Sequence, residues 1–235
     1  MPFIIVESLL FVLCVIGFLI HRVKVSNLYS ILFKGIASFM FIIIALTLMI
    51  YVKDYSLYNI FIILGLTCGL AGDVLLDFKV FKPEHDLMFL NLGYLAFGIG
   101  HGFYLTSMIM ISNQKFDTSI VNNNFLIAIF ITLAILIAFF ITSLLLKFDM
   151  KNCLIQSGLY LIILAYVMGF ACVMFITSKF SSFSWAMILF FLSDIILSFQ
   201  YFKGMSKNKP MIIVNHSLYY LAQFLLAFSI LFVAI

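Results

Sequence analysis

Polar positions along this chain come in short clusters separated by long apolar runs. A membrane-spanning helix needs about 20 apolar residues. Eight runs of that order can be marked, at about 3–20, 34–52, 58–78, 87–111, 124–147, 153–177, 183–202 and 211–234. The linkers between them are short, so consecutive helices are expected to lie antiparallel and side by side. The pattern predicts an all-α polytopic membrane protein, with residues 1–235 forming a single transmembrane domain of eight helices.

Composition agrees with the pattern. Of the 235 residues, 66% are hydrophobic and 9% are charged, against about 25% charged in an ordinary soluble domain. The net charge of +4 does not point to nucleic acid. The lysines fall in short linkers, with no basic face carrying interleaved aromatics. Cys14, Cys68, Cys153 and Cys172 are far apart and have no zinc-type spacing, so they read as packing residues. Glu7 lies inside the first apolar run, near the outer face and without a nameable partner, and no basic region precedes it. This argues against a cleaved signal peptide.

The basic residues supply an orientation. Arg22, Lys24 and Lys34 follow the first run, Lys79 and Lys82 the third, Lys147 and Lys151 the fifth, and Lys203, Lys207 and Lys209 the seventh. The opposite linkers hold only Lys53, Lys115 and Lys179. Positive residues mark cytoplasmic loops, so both termini are expected to face away from the cytosol of an inner (cytoplasmic) bacterial membrane. His21, His85 and the remaining linker charges read as solvated.

Two aspartates interrupt the apolar runs in similar surroundings, Gly72-Asp73-Val74-Leu75-Leu76-Asp77-Phe78 and Ser193-Asp194-Ile195-Ile196-Leu197-Ser198-Phe199. An ionisable group at membrane depth costs roughly 2.5–3.5 kcal/mol, which makes it a functional-site hypothesis. Tyr94-Leu95-Ala96-Phe97 and Tyr220-Leu221-Ala222-Gln223 echo each other similarly. Helices 1–4 therefore read as a diverged copy of helices 5–8. Each half has an even number of spans, so the expected repeat is parallel, with a shared site near its axis.

Other polar residues gather by helical spacing. Asn91, Tyr94, Gly98 and His101 form one stripe, and His216, Tyr219 or Tyr220, and Gln223 form another. Gly65, Gly69 and Gly72 on helix 3, with Gly98 and Gly102 on helix 4, predict close packing that brings Asp73 to the helix 4 stripe. Asp73 should lie roughly 7–8 Å inside the end of its helix at 1.5 Å per residue. The polar groups converge in the cytoplasmic half, with His101 nearer the midplane. Asp77, at a helix end beside Lys79, reads as a solvated boundary charge.

These pieces resemble the YhhN-like family of integral membrane proteins, which includes lysoplasmalogenases. The resemblance is carried by Gly69-Leu70-Ala71-Gly72-Asp73-Val74-Leu75-Leu76, by Gly93 to His101, by Leu192-Ser193-Asp194-Ile195-Ile196-Leu197 and by Tyr219-Tyr220-Leu221-Ala222-Gln223. It implies eight spans and hydrolysis of the vinyl ether bond of lysoplasmalogens, giving a fatty aldehyde and glycerophosphoethanolamine or glycerophosphocholine. The expected partners are then a lysophospholipid substrate and the bilayer, with no nucleic acid, no cofactor and no metal.

The residues suit that chemistry. Protonating the β-carbon of a vinyl ether creates an oxocarbenium ion, water adds, and the hemiacetal collapses. The reaction needs a general acid that holds its proton near neutral pH and a negative group that stabilises the cation or activates water. Glycosidases meet a similar demand with two carboxyls. Asp73 and Asp194 are the expected catalytic pair, with their two roles unassigned. Asp77, Asn91, Tyr94, His101, His216, Tyr219, Tyr220 and Gln223 are the candidates for orienting water, holding the acid's proton or binding glycerol oxygens. Lys79, Lys82 and Lys203 stand on the side where a lipid phosphate would lie. The rival readings are a proton-coupled transporter, a zinc-dependent lipid hydrolase using Asp73, Asp194, His101 and His216, and a non-catalytic lipid-binding or scaffold protein.

Overall fold

A computed structural model describes residues 2–24, 28–78, 82–150, 152–178 and 181–233. It contains eight long helices: α1 (Pro2–Lys24), α2 (Leu28–Val52), α3 (Leu57–Phe78), α4 (Asp86–Lys115), α5 (Thr118–Leu145), α6 (Leu154–Ser178), α7 (Ser181–Phe202) and α8 (Lys209–Val233). A single 3-10 turn, Pro83–His85, precedes α4, and the described residues include no strand. All eight helices are long and apolar enough to cross a membrane. The eight expected spans are therefore present, with ends that differ from the apolar runs by up to six residues. Lys79, Lys151 and Lys179, which contribute to the charge pattern, lie outside the described residues.

Large apolar side chains occupy both the interior and the surface. Phe18, Phe41, Ile44, Leu48, Ile62 and Leu66 are fully buried, whereas Phe3, Phe130, Phe140, Leu145 and Ile176 are more than half exposed. Such a surface would be unstable in water and is the natural face toward lipid hydrocarbon. Consecutive helices pack against each other as expected, and α8 returns to pack on α1, α2 and α3.

The helix contacts do not establish the expected 4+4 repeat. The pairs α1·α2, α2·α3 and α3·α4 have equivalents four helices later in α5·α6, α6·α7 and α7·α8. The cross-pairs α2·α8 and α1·α8 correspond to α6·α4 and α5·α4. Among the described residues, α3·α8 has no equivalent between α7 and α4, so any symmetry is broken at the centre.

The α3 glycines do more than bring two backbones together. A Cβ on Gly65 would stand 2.2 Å from the Tyr104 ring, and one on Gly69 would stand 2.7 Å from Gln223 Nε2. These positions are bare so that polar side chains from α4 and α8 can lie against α3. The close backbone approach falls at Gly100, whose Cβ would sit 3.1 Å from the Gly65 carbonyl oxygen. Gly98 and Gly102, the expected α4 contact glycines, have open space or ordinary contact instead. Gly65→Ala should therefore lower stability by about 1–3 kcal/mol through overpacking. Gly102→Ala, with nothing within 4 Å, should be neutral or slightly stabilising. Thermal unfolding in detergent compares the two directly.

Candidate active site

Asp73 and Asp194 line one cavity of about 110 Å³, together with Arg22, Lys34, Asp77, Tyr94, His216 and Tyr219. All of these side chains come from the same half of the bundle. Asp73 is five residues from the end of α3 and Asp194 eight from the end of α7, while Lys34 and His216 are six and seven residues into α2 and α8.

Asp73 is 2% exposed, and three donors surround it. Ser38 Oγ donates to Oδ2 at 2.5 Å, Tyr219 donates to the same oxygen at 2.7 Å, and Lys34 Nζ lies 3.3 Å from Oδ1. Behind Tyr219 runs a relay: the Tyr104 hydroxyl donates to Gln223 Oε1 at 3.1 Å, and Gln223 Nε2 donates to the Tyr219 oxygen at 3.0 Å. Each donor in this chain points toward Asp73, the direction that suits an ionised carboxylate. Tyr220 lies behind Ser38 and does not line the cavity; its hydroxyl is 3.4 Å from Ser38 Oγ and 3.3 Å from the Lys34 carbonyl.

Two expectations are corrected here. Lys34 is not a linker cation. It is 4% exposed within α2, where its ammonium meets Asp77 Oδ1 at 3.1 Å as well as Asp73. Asp77 is not a solvated boundary charge. It is 2% exposed, with Arg22 Nη2 3.6 Å from the same oxygen. Arg22, Lys34, Asp73 and Asp77 thus form a quartet with two cations and two acids. Burying charge is tolerable only when it is paired in this way. The one available sign in the sequence was spacing: Lys34 and Ser38 share a face of α2, as Asp73 and Asp77 do on α3.

Asp194 has different surroundings. It is half-buried on α7 and accepts a hydrogen bond from the Tyr160 hydroxyl of α6. No cation pairs with it among the described residues. Nearby, Asn215 of α8 donates to the Ser193 carbonyl at 2.7 Å and approaches its hydroxyl at 3.1 Å, which ties α8 to α7 beside the acid. Both aspartates therefore face the preceding helix. Asp73 finds an ammonium and a hydroxyl there, and Asp194 finds a phenol. Tyr160, Ser38 and Asn215 were not legible in the sequence, because a single hydroxyl or amide in an apolar helix carries no pattern.

The expected stripe on α4 divides. Tyr94 lines the cavity with its ring 5.5 Å from that of Tyr160. Asn91 and Gly98 face a separate groove between α4 and α6. His101 is buried among Phe190, Tyr160 and Tyr104, and its Nδ1 donates to the Phe97 carbonyl at 2.8 Å. It is not among the residues lining the cavity. The partners of Asp73 come from α2 and α8, not α4, because Phe97 occupies the space over Gly72. His216 does line the cavity and sets its ring edge against Phe18 at 4.8 Å.

Elsewhere, Glu7 has a partner after all, the Thr47 hydroxyl at 2.9 Å. His21 stacks on Phe33 at 5.4 Å rather than standing free in solvent, whereas His85 is exposed. Among the described residues no three His, Cys, Asp or Glu side chains gather as a metal-holding group. The four cysteines are free thiols.

Tyr160→Phe should keep the fold and remove the hydrogen bond that Asp194 accepts, a loss of about 0.5–1.5 kcal/mol in stability. The measurement is the melting temperature of the variant in detergent.

An eight-helix bundle with paired acids and cations enclosed in one half defines a polytopic membrane protein with a buried polar site. The YhhN family model matches residues 29–230, and the chain belongs to that family. No curated protein and no solved structure matches it.

Proposed function

We propose that this protein is a membrane hydrolase that cleaves the vinyl ether bond of lysoplasmalogens, releasing a fatty aldehyde and a glycerophospho-alcohol. The carrying observation is the unequal provision for two carboxyls in one cavity. Asp73 has a cation and two hydroxyl donors, and Asp194 has only a phenol. Membership of the YhhN family supports the reading at the level of the class.

The two surroundings suit two roles. A carboxylate at membrane depth needs a counter-ion, and Lys34 provides one for Asp73. Asp194, without a cation, is assigned the general acid. It transfers its proton to the β-carbon of the alkenyl chain, forming a C–H bond and leaving positive charge shared between the α-carbon and the ether oxygen. Asp73 stabilises that cation and takes a proton from the water that adds to the α-carbon. The hemiacetal then breaks its bond to the glycerol oxygen, which leaves as an alcohol by taking from Asp73 the proton that the water gave up. The hemiacetal hydroxyl proton returns to the acid as the aldehyde forms. Lys34, Ser38 and the Tyr104–Gln223–Tyr219 relay keep Asp73 in place, and Tyr160 does so for Asp194. The linker lysines on the same side place the site toward the cytoplasm in this proposal.

The test is aldehyde release from lysoplasmenylethanolamine by purified protein in detergent, with and without a chelator. Saturated-ether and acyl lysolipids are run alongside. Chelator-resistant aldehyde from the alkenyl lipid alone is expected. Fatty acid from the acyl lipid would replace this reading with an esterase. No product from well-folded protein would return the aspartates to the transporter reading, as proton carriers.

A further inference from the structure

Three spaces adjoin one another in series, the first two of them lined by Asp194, and their walls differ in kind. The first is the charged cavity. The second is a narrow slot of about 50 Å³ between α5, α6 and α7, which shares Asp194, Tyr94, Tyr160 and Tyr201 with the cavity. Its other walls include Phe139, Leu161, Leu164, Phe191 and Ile195. The third is a groove of about 220 Å³ that shares Phe139, Phe191, Ile195 and Ser198 with the slot. This groove lies between α5 and α7, which do not pack against each other among the described residues. The path from the charged quartet past Asp194 to the lipid-facing surface thus changes from polar to apolar.

Two serine hydroxyls along the path make no demand on an occupant. Ser198 donates to the Ile195 carbonyl at 2.7 Å, and Ser157 donates to the Cys153 carbonyl at 2.7 Å, so both are satisfied within their own helices. The α4/α6 groove is roomier, at about 440 Å³, but it shares only Tyr94 and Tyr160 with the cavity and does not reach Asp194. It also contains Asn91, whose Oδ1 has no hydrogen-bond partner, a poor surface for hydrocarbon.

We infer that the α5/α6/α7 slot and groove form a binding site for a single aliphatic lipid chain, which reaches the cavity sideways from the bilayer leaflet on the side of the α5 and α7 C-termini. The inference rests on reading the cavity as the site of a lysolipid ether hydrolase. It adds the path of the chain and a reason for one-chain selectivity. The slot beside Asp194 is narrow, and a second chain on the same glycerol would have to lie in the charged cavity, where hydrocarbon would displace solvation of the charged quartet. An amphiphile laid along the path puts its head-to-chain junction beside Asp194.

The probe is a saturated 1-O-alkyl lysophosphoethanolamine with a diazirine at mid-chain. It lacks the vinyl ether, so it reports binding whether or not the protein is an enzyme. Photolabelling of the full-length protein in detergent should mark Phe139, Phe191 or Ile195, and excess lysoplasmenylethanolamine should suppress the label. Ser198→Trp, which fills the groove, should weaken labelling about tenfold, equivalent to about 1.4 kcal/mol of binding, with its melting temperature as the folding control. Labels on Leu95, Ile99 or Leu159 of the α4/α6 groove, or labels scattered around the belt and not suppressed, would overturn the inference. Suppressible labelling of the slot without aldehyde release supports the slot and removes the hydrolase reading. Aldehyde release with labels in the α4/α6 groove does the reverse.

Discussion

Asp194→Asn should abolish aldehyde release almost completely while leaving the protein folded. General acid catalysis contributes about 100-fold or more, and an amide of the same shape cannot deliver that proton. The fold should survive because Asp194 holds no ion pair among the described residues, and an asparagine oxygen can still accept from Tyr160. Asp73→Asn should lose activity on a similar scale for another reason. It keeps an acceptor for Ser38 and Tyr219 but gives up the negative charge facing the developing cation. Initial rates on lysoplasmenylethanolamine, with detergent melting curves for each variant, provide the check. A variant that keeps more than about a tenth of the wild-type rate excludes its residue from the proposed role.

Lys34→Met should be the most damaging substitution to stability. It leaves Asp73 and Asp77 buried at 2% exposure, with Arg22 as the remaining cation, and Arg22 approaches only Asp77. Breaking a buried ion pair from one side typically costs about 3–5 kcal/mol. The double variant Lys34→Met/Asp73→Asn removes one charge of each sign, leaves Arg22 paired with Asp77, and should recover much of the loss. A single variant as stable as wild type, or a double variant no better than the single, would show that the quartet is not coupled as its distances suggest. Melting temperature and yield of monodisperse protein are the readouts. Activity should remain low in the double variant, because position 73 no longer carries a negative charge.

These two predictions differ in how far the sequence pointed to them. Asp194 and Asp73 were visible as acids within apolar runs, since each breaks a pattern that is otherwise unbroken for about 20 residues. Lys34 is equally visible as a charge, but its position along the chain does not show that it is buried. It stands near the start of an apolar run, where a lysine reads as an interfacial residue that marks loop orientation. Only the neighbouring helices show that its ammonium turns inward to two carboxyls. Asp77 was misplaced for the same reason, because its depth along α3 says nothing of which neighbour faces it. The glycines of α3 were recognised as packing positions, but what packs on them, the Tyr104 ring and the Gln223 amide, was not.

By itself the sequence determined the number of spans, their approximate limits, the family resemblance and the two acids most worth testing. Those features are written along a single helix, in the length of apolar runs and in the cost of placing charge within them. The tertiary structure decided which polar side chains share a cavity, that one acid has a cation and the other a phenol, and that an apolar path leads past Asp194 to the lipid. These depend on how each helix is rotated about its axis against its neighbours. In a chain that is apolar on nearly every face, periodicity does not encode that rotation, so it emerges only when the eight helices pack together.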